Sequence, residues 1–102
     1  MKIAWTTTET LDQARSLSHL AVDKKLAVCA QISGPITSIY PWKGKIEESA
    51  EFRITLKCLE KNFPELKKLI LNNHPYDIPQ WVAVSVSDVG DRYRSWAEGS
   101  FF

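Results

Sequence analysis

A chain of 102 residues, 44% hydrophobic and 25% charged, has the make-up of one ordinary globular domain, and residues 1–102 are read as a single unit. Thirteen basic against twelve acidic side chains leave a formal charge of +1 with the signs interspersed, which excludes the strong positive field of a nucleic-acid binder. No apolar run approaches membrane-spanning length and the first residues hold no secretory-signal core, so a cytoplasmic protein without a membrane partner is expected.

In chain order, "MKIAWTTT" opens with an apolar and β-branched run suited to a strand. Thr10 and Gln13 then stand at the spacing of a capping box, and Leu11, Ala14, Leu17 and Ala21 mark one buried helix face reaching about Lys25. "LAVCAQIS" reads as a second strand, interrupted at Gly34 and Pro35, where a bend or bulge is expected, and resumed as "ITSIYPW". A turn at Gly44 leads into a return arm in which Phe52, Ile54, Leu56 and Cys58 share one face and Glu51, Arg53, Thr55 and Lys57 the other. Asn62, with Glu65 three residues on and Pro64 in the first turn, predicts a helix start; Phe63, Leu66, Leu69 and Ile70 form its apolar stripe. Pro75 forces that helix to stop near His74, and Pro79 keeps the exit extended. "WVAVSVS" follows as a strand with Val82, Val84 and Val86 on one face, and Tyr93 and Trp96 indicate a short last helix closed by Gly99.

Strand, helix, strand, strand, helix, strand, helix is the order of an α+β fold of the ferredoxin-like, split βαβ type: an antiparallel sheet with helices on one face, a long hairpin and a short C-terminal helix. Extended at about 3.3 Å per residue, residues 27–40 span roughly 45 Å. A globule of this size has a radius of gyration of about 13 Å and a diameter of roughly 35 Å. The hairpin therefore overhangs its own body and exposes Ile36, Ile39, Tyr40 and Trp42 beside an unpaired backbone edge. Pairing with copies of itself in a closed, rotationally symmetric homo-oligomer would cover that edge.

The stretches "AVCAQISGPITSIYPWKGKI", "LK" at 56–57, "HPYDIPQ" at 74–80 and "YRSW" at 93–96 closely resemble, in order and spacing, the CutA family of divalent-cation tolerance proteins. The resemblance covers essentially the whole chain. It implies a ferredoxin-like subunit in a tight homotrimer whose hairpin strands pair between neighbours. It also implies a role in tolerance of copper and other divalent cations, with metal bound by some members and no general enzymatic reaction. The grooves between subunits resemble those of nitrogen-regulatory signalling trimers, so sensing of a small anionic metabolite is the rival reading. The chain departs from the family pattern at Gln80, where glutamate is usual. It departs again at Trp5 and Asn73, where copper-binding members carry cysteine and histidine, so that only His74 of that ligand set is kept.

His74 reads as a metal ligand for copper, zinc or nickel, or as a hydrogen-bonding residue that fixes the helix end. Cys29 reads as a soft copper ligand or as a structural thiol; neither it nor Cys58 sits in a C-x-x-C pair. Tyr40 and Trp42 suit a ligand platform or an interface plug. In an intersubunit groove Lys57 becomes the contact for an anion, with Tyr76, Tyr93 and Trp96 lining the same groove. Glu47, Glu48 and Glu51 are expected to keep an exposed hairpin edge soluble. No phosphate-binding loop, metalloprotease helix or nucleophile elbow occurs, and no nucleophile has a visible base, so an enzyme is not expected.

Overall fold

The computed structural model describes residues 1–99. Strands β1 (Lys2–Thr8), β2 (Cys29–Trp42), β3 (Lys45–Cys58) and β4 (Val82–Ser85) form one antiparallel sheet in the order β2-β3-β1-β4. Helices α1 (Leu11–Asp23) and α2 (Phe63–Asn73) cover one face of it, and α3 (Asp91–Gly99) follows β4.

Local chemistry sets the element boundaries. At the start of α1, Thr10 Oγ1 accepts the Gln13 N–H at 3.1 Å and Gln13 Oε1 accepts the Thr10 N–H at 3.1 Å, the reciprocal cap expected from the spacing. Just past the Lys24 cap, Lys25 takes a left-handed φ of 61° and lets the Leu26 N–H donate to the Ala21 carbonyl at 3.1 Å. Between β2 and β3, Lys43 (φ 51°) and Gly44 (φ 79°) form a two-residue turn whose two positive φ angles match the twist of the flanking strands.

Side-chain alternation in β3 places Ile54, Leu56 and Cys58 under the helices. They meet Ala4 of β1, Ala14, Leu17 and Ala21 of α1, and Leu66 and Ile70 of α2 in one continuous core. Fully burying each large aliphatic side chain contributes about 1.5–3 kcal/mol.

The β2–β3 ladder runs from Cys29↔Lys57 to Trp42↔Lys45 with one irregularity, between Ser33 and Ile36, at the cis Gly34–Pro35 pair. Gly34 has φ +147°, and a Cβ there would lie 2.9 Å from both the Glu51 carbonyl and Phe52 Cδ1, so only glycine fits the bulge. Each arm has 14 residues, a reach of roughly 45 Å, and the molecule measures 47 × 25 × 22 Å. The hairpin thus occupies the whole long axis. Among the described residues no helix lies above its far half: Ile39, Trp42 and Ile46 are 65%, 47% and 73% exposed, and β2 is a sheet edge along its full length. The expected overhang is present.

Three details differ from the sequence expectation. Asn62 precedes α2 but makes no side-chain cap; a single 3₁₀ turn at Glu60–Asn62 leads into the helix, and Asn62 Nδ2 donates to the Lys25 carbonyl at 3.5 Å. β4 is limited to four residues, because only Lys2, Ile3, Ala4 and Trp5 of β1 face it. Finally, the helices do not all share one face: α3 sets Tyr93, as expected, beside Lys57, and this pair lies with Cys29 on the sheet face opposite α1 and α2. That face also carries Ile3, Trp5, Val82 and Val84 in register.

Candidate functional site

The 74–80 connector is held by one imidazole. Pro75 excludes helical geometry from His74, which sits at φ −73°, ψ 137° as the C-cap of α2. Its Nδ1 accepts the Tyr76 N–H at 3.1 Å, which fixes the tautomer and leaves Nε2–H to donate to the Thr7 carbonyl at 2.9 Å, with Thr6 Oγ1 also at 3.0 Å. The ring therefore ties the end of β1 to the connector. Burial lowers the His74 pKa below the usual 6.5, outweighing the raising effects of the Thr7 carbonyl and the Glu51 charge, in line with an Nδ1 that accepts a hydrogen bond.

Tyr76, edge-on to His74 with ring centroids 4.9 Å apart, donates its hydroxyl to Glu51 Oε2 at 2.7 Å. Burial, then the hydrogen bond to and the charge of Glu51, hold the phenol well above its usual 10. Glu51 itself is only 9% exposed. It is not the solvated edge residue its place in the sequence suggested, because the connector folds across the outward face of β3 and covers it.

Between connector and hairpin lies a groove of about 840 Å³, walled by Tyr40, Trp42, Tyr76, Glu47, Glu51 and Asp77. Tyr40 Oη and Ser49 Oγ, 3.2 Å apart, brace the arm across the ladder. A smaller cavity of about 370 Å³ beside α1 and Pro75 has Asp12 on its wall and gathers no aromatic side chain from the described residues.

The remaining sequence candidates assemble elsewhere. Cys29 faces Lys57 across the ladder. Lys57 Nζ lies 5.8 Å from the centroid of the Tyr93 ring, over its face. Burial, then the charge and hydrogen bond of Cys29, raise the Tyr93 phenol. Trp96 stacks beside Tyr93, centroids 5.6 Å apart. One chain thus divides the expected groove in two, with Tyr40, Trp42, Tyr76 and His74 toward the hairpin tip and Cys29, Lys57, Tyr93 and Trp96 at its base.

Lys57 stands opposite Ile3, and His74 binds the carbonyl of Thr7, four residues along β1, a separation of roughly 13 Å. A single chain does not bring Cys29 and His74 together, and both His74 nitrogens already have protein partners. Among the described residues, no three His, Cys, Asp or Glu side chains come close enough to hold one metal ion. Asn73, at a position where a second histidine would be expected, donates Nδ2 to the Leu69 carbonyl at 2.8 Å; Trp5 lies half-buried on the open face of the sheet; Gln80 lines the groove. The residues of one chain do not fit a metal. Sequence reasoning missed Glu51, Asp77 and Gln80 as groove residues, and the only available signal was their nearness to the aromatic and Pro-rich segments.

Comparison with known proteins bears on the whole chain. Residues 2–100 match the family described as "CutA1 divalent ion tolerance protein". The divalent-cation tolerance protein CutA of Thermus thermophilus is 34% identical over 83 residues, covering 81% of each chain. Protein CutA of Mus musculus is 35% identical over 83 residues, which are 81% of this chain and 47% of that one. The chain thus spans about half the length of its mouse relative and most of the bacterial one. The crystal structure of CutA1 from Pyrococcus horikoshii superposes with a TM-score of 0.91 at 33% identity, covering 95% of this chain and 94% of that one. A match of this extent in sequence, on a four-stranded antiparallel sheet with three helices, places the chain in the CutA1 divalent ion tolerance family.

Proposed function

We propose that the chain acts without catalysis in the response to divalent cations such as copper, as a homotrimer whose ligand sites lie between subunits. One observation carries this reading: β2 is a 14-residue edge strand that extends past the body and ends in exposed Ile39, Tyr40, Trp42 and Ile46. Such an edge pairs readily with another strand, and a closed ring of copies satisfies it without open-ended growth. The relatives' names supply the divalent cation.

In this reading a metal takes its donors from two chains, with Cys29 of one and His74 of another. His74 becomes a ligand when Nδ1 releases the Tyr76 N–H. The anion-sensing alternative is not favoured: the walls of the large groove carry Glu47, Glu51 and Asp77, and Lys57 lies apart from it over Tyr93. The test joins light scattering with copper and zinc calorimetry on the protein and on its Cys29→Ala and His74→Ala variants. A trimeric mass and weakened metal affinity in both variants are expected. A monomeric mass, or unchanged affinity in both, overturns the reading.

A further inference from the structure

Beyond that reading, we propose that the groove between connector and hairpin takes a small organic cation, whose ammonium or guanidinium group meets Glu51 while its carbon chain lies along Tyr40 and Trp42.

The starting point is an uncompensated charge. Glu51 is more than nine-tenths buried, its Oε2 accepts from the neutral hydroxyl of Tyr76, and among the described residues no cationic side chain forms an ion pair with it. A carboxylate withdrawn from water without a cation is costly, and a positively charged ligand removes that penalty. His74 does not supply the countercharge: its Nδ1 accepts the Tyr76 N–H and its Nε2–H is turned to the Thr7 carbonyl.

The walls repeat the preference. Glu47 and Asp77 add two carboxylates, and no lysine or arginine is among the described residues lining the groove, although the whole chain carries a net +1. Tyr40, Trp42 and Tyr76 offer aromatic faces that attract cations, while Ile39 and Ile78 add apolar surface. A volume of about 840 Å³ falls within the range of roughly 300–1,000 Å³ usual for small-molecule sites.

The spacing of the charges selects an organic ligand over a bare ion. Because no three potential ligand side chains among the described residues converge on one point, the negative charge is spread along the groove. An extended cation can follow it. A metal ion, bound at about 2–2.6 Å from each oxygen, cannot.

The experiment is calorimetry of the oligomer as purified, with agmatine and cadaverine as cationic probes and glutarate as the anionic control of similar length. Both cations are expected to bind, glutarate is not, and Glu51→Gln should weaken agmatine at least about tenfold by removing the charge partner. The side-chain amide introduced by Glu51→Gln can still accept from Tyr76, so the fold is expected to persist, with an unchanged melting temperature as the check. Trp42→Ala should weaken agmatine about fivefold through the lost cation–π contact. Cys29→Ala, at the base of the hairpin, should leave agmatine unaffected. Equal responses to agmatine and glutarate, or agmatine binding insensitive to Glu51→Gln, overturn the proposal; so does a structure of the assembly with a neighbouring copy's lysine or arginine on Glu51. Agmatine affinity is read separately from oligomer mass and from copper and zinc affinity at Cys29 and His74, so the two readings fail separately.

Discussion

The near half of the hairpin packs Ile54, Leu56 and Cys58 against α1 and α2, whereas in the far half the same face turns Ile39 and Ile46 to solvent. A shared pattern has two outcomes because a strand's apolar face states that it wants a cover and not what the cover is. Near the body that cover is the protein's own helices. Past the bulge at Ser33 and Ile36 the described residues supply no such cover, and on the opposite face the connector reaches across Glu51.

The sharpest way to break this contrast is truncation on either side of the bulge. Leu56→Ala should destabilise by about 2–5 kcal/mol in urea unfolding, the range for emptying a packed aliphatic site. Ile46→Ala should change the stability of an isolated chain by less than about 0.5 kcal/mol. If copies cover the tip, Ile46→Ala instead shifts the concentration at which the oligomer dissociates, which light scattering on dilution reads directly.

Tyr76→Phe removes the hydrogen bond that joins connector to hairpin and should cost about 1.5–3 kcal/mol, the range for a bond to a charged group. A cost near zero would mean that the connector holds its place without Glu51. Gly34→Ala at the joint should cost about 1–3 kcal/mol, from forcing a side chain into a positive-φ position already crowded by Glu51 and Phe52.

The smallest effect is expected from pH. The folded pKa of His74 lies below the usual 6.5, so the unfolded chain binds the proton more readily. Its contribution to stability is complete above about pH 6.5 and is lost as pH falls from there through the folded value. The melting temperature of the protein relative to His74→Gln should therefore fall over that acid interval and stay level above it. A difference independent of pH would show that protonation does not disturb the Nδ1 contact with Tyr76.

Much of the architecture was legible because its signals are local. The capping box at Thr10 and Gln13, the interruption at Gly34 and Pro35, the alternation from Phe52 to Cys58 and the stop imposed by Pro75 are each decided within a few residues. The reach of the hairpin followed from chain length alone. What escaped the sequence depends on parts far apart in the chain. Glu51 is buried by a connector that begins more than twenty residues later, and Asn62 turns to the Lys25 carbonyl instead of capping its own helix. The aromatic candidates share one compositional signal but fall into two clusters, since Tyr40 and Tyr93 reach different ends of the hairpin.

The bulge at Ser33 and Ile36 also makes the arm a module of adjustable length. Inserting two residues into each strand beyond it would carry the turn about 7 Å outward while every backbone pair from Cys29 to Ser33 kept its partner. Distance from body to tip can therefore be engineered without renegotiating the interior.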